Sequence, residues 1–217
     1  MARTLVGIYG ASGFGREVLP LVREQLKAVN AEFVFVDDGD IGLSMNGYRI
    51  LGYQKFLADE ASEKQVVFAI ANSVIREKLA LRCAADNIPA LTLVAENAVV
   101  LDEVSIGEGA ILCHFTQLTS NIRIGKYFHA NIYSYVAHDC VIGDYVTFAP
   151  AVRCNGNVVI EDHAYIGTGA VIKQGSPDKP LVIGRGAIVG MGAVVTKDVP
   201  AGVTVVGNPA KVFEPRN

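Results

Sequence analysis

The 217-residue chain has few cysteines, no basic excess and no long apolar run, and each shortage removes a class of function. Its four cysteines, Cys83, Cys113, Cys140 and Cys154, form no CxxC pair and are expected to be reduced thiols in a cytoplasm. A net charge of −3 and a pI near 5.8 give no footprint for nucleic acid. The apolar stretches are short and broken by glycine or charge, so no membrane insertion is expected. The first apolar run is interrupted at Gly10 to Gly13, which speaks against a signal peptide. The four histidines, His114, His129, His138 and His163, have no close regular spacing. Zinc needs convergent ligands with an open position, so no metal is expected.

What is present is a beat of six. From Val94 every sixth residue is apolar: Val94, Val100, Ile106, Leu112, Leu118, Ile124, Ala130, Val136, Ile142, Phe148, Cys154, Ile160, Ile166 and Ile172. The beat resumes at Ile183, Val189 and Val195. That period fits neither a helix of 3.6 residues per turn nor an ordinary strand. It is the hexapeptide signature of a parallel β-helix. Two residues before each beat runs a second inward column, from Val104 to Ala170, apolar or small nearly throughout. One residue after each beat, Gly and Asn are frequent (Gly107, Gly125, Asn131, Gly143, Asn155, Gly167), and left-handed corners are expected there. Three hexads make one coil, so residues about 18 apart stack. Residues 174–180 break the beat by five, either as a tolerated corner loop or as a loop over a ligand groove.

Ahead of the solenoid, strand and helix alternate. Strands are expected over 4–9, 33–36 and 65–71, with helices from Arg16 to about Val29 and from Ser73, as N-cap, to about Ala85. Pro20 is placed near the start of the first helix. A small parallel, Rossmann-like sheet follows. The expected division is an α/β domain over 1–88 and a β-helix over 89–217, hinged at Asn87-Ile88-Pro89.

Two groups of residues could carry chemistry. His138 is two residues past a beat and points away from the core, with Asp139 beside it to orient the ring. Stacking puts Gly156 one coil above, with room and a backbone N–H for an acyl oxygen. A surface His-Asp pair is also compatible with no function. Cys140 and Cys154 fall in inward columns and read as core packing. The loop Gly10-Ala11-Ser12-Gly13-Phe14-Gly15 joins a strand to a helix, and its amides suit a phosphate. Asp37 and Asp38 end the second strand, where a sugar hydroxyl or base edge could be read. Tight helix–strand packing would explain the same glycines.

The opening YGASGFG, the Asp37-Asp38 pair, the hexads, HDCVIGDY (138–145), the run 154–157 (CNGN) and the closing VGNPAK (206–211) together resemble the sugar O-/N-acyltransferases of the hexapeptide-repeat class. That family includes sialic-acid O-acetyltransferases and bacterial nucleotide-amino-sugar N-acetyltransferases. The resemblance implies a left-handed β-helix, a homotrimer with sites between neighbouring chains, and acetyl-CoA as co-substrate. It implies His138 as general base, polarised by Asp139 where many relatives carry Glu. Gly156 would hold the acetyl carbonyl, Thr168 would meet the pantetheine arm and Asn131 the sugar. Gly10, Ser12, Gly13, Phe14 and Gly15 would hold the nucleotide phosphates, with Asp37 and Asp38 on the nucleoside. Relatives often have His where Phe14 stands. The expected reaction is N-acetylation of a nucleotide-linked amino sugar, a 4-amino-4,6-dideoxyhexose. Sugar O-acetylation, a metal-dependent hydratase and a non-catalytic scaffold are the alternatives.

Overall fold

A computed structural model describes residues 3–39 and 42–214. The chain forms two compact units, Met1–Leu93 and Val94–Asn217.

In the first unit β1 (Thr4–Tyr9) is buried along its whole length, as a central parallel strand must be. It pairs in parallel with β2 (Ala31–Val36) on one side. A further parallel strand, Glu63–Phe68, flanks it on the other. Two strands beyond the expected three are present: β3 (Ser44–Met45) and β4 (Tyr48–Leu51) form an antiparallel hairpin, and β4 pairs in parallel with β2. With Glu63–Phe68 as β5, the order is β3-β4-β2-β1-β5. The legible signal was Asn46-Gly47, whose φ values of 51° and 82° suit a two-residue hairpin turn.

Helix α1 (Gly13–Gln25) begins earlier than expected, which moves Pro20 from the first turn into the interior. Pro20 and Arg16, whose carbonyl loses its helical partner, are both exposed, so water can take that bond. Two helices follow, α2 (Tyr53–Leu57) and α3 (Ser73–Ala85). The cap of α3 is Asn72, not Ser73: its side chain accepts from the Ile75 N–H at 3.0 Å. Beyond the expected hinge the chain stays with the sheet, because Val66 N–H donates to Pro89 O and Leu91 N–H to Val66 O.

The second unit is a left-handed parallel β-helix of strands two or three residues long, stacked in three sheets. Register confirms the coil of 18: Gln117 pairs with Val99 and Tyr135, and Ile124 with Ile106 and Ile142. After the insertion Val158 pairs with Leu181, five residues later than the repeat alone would give. Beat residues from Leu112 to Ile172 are buried, as is the second inward column from Ala110 to Ala170. Val94 and Val100 are exposed, because they lie in the first coil, at the end of their sheets.

The corners differ from expectation. Left-handed φ falls three residues after each beat, not one: Glu103, Gly109, Phe115, Asn121, Tyr127, Tyr133, Asp139, Tyr145, Ala151, Asn157, His163 and Gly169. The small residues one past the beat answer to another constraint. A Cβ on Gly125 would sit 2.6 Å from the Gly143 carbonyl carbon, and one on Gly107 would sit 2.6 Å from that of Gly125. Those glycines let coils stack. The left-handed slot instead builds ladders: Tyr127, Tyr145 and His163 stack with centroids 5.0 and 5.3 Å apart.

Two substitutions test this anatomy by thermal and denaturant unfolding. Ile142→Asp buries an unpaired charge and is expected to cost about 4 kcal/mol or more. Gly125→Ala adds one methyl against backbone and is expected to cost about 1–3 kcal/mol. A neutral Gly125→Ala would show that stacking does not require the glycine.

Candidate active site

Each corner of the solenoid leaves one backbone N–H outside the strand ladders, two residues after the beat. At some corners a side chain takes it, from the next coil at Lys126 and Asp144 and from the preceding coil at Arg185. Lys126 N–H donates to Asp144 Oδ1 at 2.7 Å, Asp144 N–H to Asp162 Oδ1 at 2.8 Å, and Arg185 N–H to Glu161 Oε2 at 2.7 Å. At Gly156 no acceptor meets it among the described residues. The imidazole of His138 lies there instead. A Cβ on residue 156 would fall 2.5 Å from His138 Cε1 and 2.6 Å from Nε2, so only glycine fits beneath the ring.

Asp139 occupies the left-handed slot, with φ of 58°. A short polar residue tolerates that conformation. Its N–H donates to Ser120 O at 3.0 Å, tying it to the coil below. From there Asp139 Oδ2 accepts from His138 Nδ1 at 2.7 Å, with both side chains about half exposed (48% each). The carboxylate fixes the proton on Nδ1 and leaves the Nε2 lone pair for chemistry. The coil above Gly156 opens the inserted loop: Gly175 N–H donates to Gly156 O at 3.0 Å. A cavity of about 700 Å³, lined by Lys173, Ser176, Lys179 and Lys197 among others, lies against that loop.

The other sequence candidates lie elsewhere. Asn131 and Thr168 stand on the neighbouring corner, and one chain does not bring them to His138. Asn131 Oδ1 accepts from Ile132 N–H at 2.7 Å, and Thr168 is exposed. His114 Nδ1 is 2.9 Å from Asn97 Oδ1, His129 is buried, and His163 stacks on Tyr145. Among the described residues no three His, Cys, Asp or Glu side chains converge as metal ligands. Nor is any described helix long and apolar enough to cross a membrane.

Asn155, expected only as a corner residue, has a further role. Asn155 Oδ1 accepts from Tyr135 O–H at 3.0 Å, and its Nδ2 donates to Ile172 O at 2.7 Å. It thus clamps the residue before Gly156 from both neighbouring coils. The available signal was an amide in a column of small residues.

In the N-terminal unit the glycine loop is closed by necessity: a Cβ on Gly15 would overlap the Gly10 carbonyl oxygen, and Gly10 has φ of 99°. Gly13, by contrast, has only the tip of Arg16 within 4 Å. Ser12 is the helix N-cap residue, yet its side chain makes no cap hydrogen bond. Ser12 and Gly13 are exposed and Phe14 is half-buried. Asp37 holds the loop, accepting from Ala11 N–H at 3.1 Å and from Gly39 N–H at 2.9 Å. Asp38 accepts from Tyr53 N–H at 2.7 Å, and from Tyr9 O–H and Arg82 Nη1 at 3.0 Å each. Arg82 also lies 3.8 Å over the Tyr53 ring. Nothing in the pattern of α3 had marked it. Both aspartates and Tyr53 line a cavity of about 490 Å³.

Burial pushes the Asp38 carboxyl up, but the hydrogen bonds from Tyr53, Tyr9 and Arg82 outweigh it and hold the group below its ordinary value. A lowered folded-state value stabilises above the unfolded pKa, roughly 3.9, and that contribution is lost as pH falls through the folded value. Asp38→Asn should therefore lower the urea midpoint at pH 7, and the gap from wild type should close near pH 2–3. An equal gap at both pH values would show that charge is not what the network uses.

A glycine-backed His-Asp pair on a hexapeptide β-helix corner, in a chain that also carries a strand–glycine-loop–helix unit, defines a hexapeptide-repeat acyltransferase. Comparison with known proteins narrows this. Residues 6–83 match the PglD N-terminal domain. The chain is 52% identical over 210 residues to GDP-perosamine N-acetyltransferase of Escherichia coli O157:H7, covering 95% of each. It superposes on WeeI from Acinetobacter baumannii AYE with a TM-score of 0.95 and 65% identity, covering 97% of this chain and 100% of that one. PerB from Caulobacter crescentus, solved with CoA and GDP-perosamine, gives a TM-score of 0.83 at 26% identity, over 96% and 97% of the chains. The chain belongs to the family of nucleotide-sugar N-acetyltransferases with a left-handed β-helix.

Proposed function

We propose that this chain transfers acetyl from acetyl-CoA to the amino group of a nucleotide-linked 4-amino-4,6-dideoxyhexose, with GDP-perosamine the first substrate to test. The observation that carries the reading is the His138–Asp139 pair packed against Gly156, whose N–H meets no acceptor among the described residues. The sugar amine attacks the thioester carbonyl carbon. His138 Nε2 takes the proton that the nitrogen sheds, and the Gly156 N–H donates to the oxyanion. As the tetrahedral centre collapses, the C–S bond breaks and His138 returns the proton to sulfur. The products are the amide and CoA. Asp139 keeps the ring oriented.

The remaining sites follow as parts of this proposal. Asn131 faces the sugar, Thr168 and the 174–180 loop flank the pantetheine arm, and a homotrimer sets these corners of one chain against the His138 corner of the next. What supports the trimer is the apolar ridge on the Asn131 corner, where exposed Phe115 stacks on exposed Tyr133 with centroids 4.9 Å apart, near exposed Ile132. The N-terminal unit (1–88) holds the nucleotide: Gly10, Ser12, Gly13, Phe14 and Gly15 meet the phosphates at the start of α1, and Asp37 and Asp38 the nucleoside. Acetyl-CoA and nucleotide sugars place the reaction in the cytoplasm.

The test is thiol release from acetyl-CoA with GDP-perosamine, its UDP- and dTDP-linked counterparts, and free sialic acid. His138→Ala should lower kcat about 10²–10⁴-fold while acetyl-CoA binding survives. Asp139→Asn should cost less. With an amine acceptor the His138→Ala deficit should shrink at high pH, where free amine needs no protein base. A hydroxyl acceptor would show no such recovery. Wild-type rates in His138→Ala across pH would overturn the mechanism.

The open space at Gly13 yields a separate expectation. Gly13→Val should fold normally but weaken nucleotide-sugar binding, because the side chain fills the space before the helix N-terminus. Calorimetry should find CoA binding unchanged. Equal weakening of both ligands would refute the division of labour.

A further inference from the structure

The inward column two residues before each beat is not wholly apolar, and its polar members share a pattern. Thr116 Oγ1 donates to Cys113 O at 2.9 Å, and Ser134 Oγ to Ala149 O at 3.0 Å. Both acceptors are carbonyls one residue past a beat, turned toward the core. Cys140 is the third member. Its Sγ lies 3.3 Å from Asn155 O, fifteen residues on, the same offset as from Ser134 to Ala149, and a longer 3.6 Å from His138 O, so its one hydrogen is nearer Asn155 O. Cys154 Sγ lies 3.7 Å from the same oxygen. Among the described residues no backbone N–H donates to Asn155 O, so the thiols are what hold it.

That carbonyl belongs to the peptide whose other end is the Gly156 N–H. A trans peptide is planar, and its C=O and N–H point in opposite directions. Turning Asn155 O into the core turns the Gly156 N–H out, on the corner where the His138 ring packs against this glycine. The Asn155 side chain, held by Tyr135 O–H and Ile172 O, restrains the same peptide from outside.

We propose that Cys140 is a positioning residue of the acyl-transfer site: its buried thiol holds the Asn155 carbonyl inward and so aims the Gly156 N–H at the position of the oxyanion. This role rests on the acetyl transfer proposed above. It gives Cys140 the part that the Thr116 and Ser134 hydroxyls play in the same column, and it assigns the residue more than packing.

The test compares Cys140→Ala, which removes the donor, with Cys140→Ser, which restores the kind of contact Ser134 makes. Each is measured for kcat, for KM of acetyl-CoA, and for the carbonyl band of bound ¹³C-carbonyl acetyl-CoA by difference infrared spectroscopy. An aimed N–H shifts the thioester band of the wild type below that of free acetyl-CoA. Removing an oxyanion donor outright costs roughly 10²–10³-fold. Misaiming one in Cys140→Ala should cost part of that, about 10-fold in kcat, with KM within about twofold and most of the band shift lost. Cys140→Ser should recover both band and kcat. If Cys140→Ala fails to fold, Cys140→Val, which leaves no cavity, carries the same comparison. A folded Ala or Val variant with wild-type band and kcat would overturn the role. Wild type that binds no acetyl-CoA and releases no thiol would instead overturn the functional reading beneath it.

Discussion

Every coil of this solenoid must turn three corners, and the backbone at a corner cannot complete its own hydrogen bonds. The strands are two or three residues long, so their ladders reach the N–H one past the beat and stop. The next N–H points outward with no strand to meet it, and the adjoining carbonyl can turn inward with none either. A buried or half-buried polar group without a partner costs about 1–3 kcal/mol. Much of the sequence outside the inward columns answers that demand.

The answers differ by corner. The column Lys126, Asp144, Asp162 solves it with carboxylates, each accepting the N–H of the coil below. Thr116 and Ser134 solve the inward half with hydroxyls. At Gly156 the inward half is met by thiols and the outward half is left open beneath an imidazole. The corner is therefore an ordinary solenoid corner whose outward N–H, like those of Ser120 and His138, meets no protein acceptor among the described residues, and the imidazole against it is what sets it apart. A donor withheld from the protein is a donor available to a ligand, and the stacked coils on either side keep it in place. Preorganisation of this kind is what stabilises developing charge without reorganisation during reaction.

The repeat was legible because it is a burial pattern, and burial follows side-chain type. Ile124, Ile142 and Ile160 could be stacked by counting, and the five-residue break moved Leu181 as counting says it should. The His138–Gly156 contact was legible for the same reason, being one coil apart. The left-handed slot was misplaced by two residues because glycine serves two purposes. At Gly125 and Gly143 it answers coil-to-coil distance, whereas positive φ falls on Tyr127, Tyr133 and Tyr145, a residue type that rarely announces it. The clamp of Tyr135 on Asn155 and the bond from Cys140 to Asn155 span 20 and 15 residues. No periodic column contains those offsets, so nothing in the beat exposes them. Arg82 was missed likewise: its partners Asp38 and Tyr53 meet it only once the sheet has formed.

The two units position their groups by different means, and the contrast bears on what each can bind. In the N-terminal unit the glycine loop is fixed by backbone contact at Gly10 and Gly15 and by the Asp37 carboxylate on Ala11. Ser12 and Gly13 are left exposed at the start of α1. That arrangement offers charge complementarity spread over several amides, which suits a phosphate group and tolerates variation in how it sits. The solenoid corner offers one amide and one ring nitrogen at fixed separation. Acyl transfer gains from such constraint, because a reacting carbonyl must meet donor and base together.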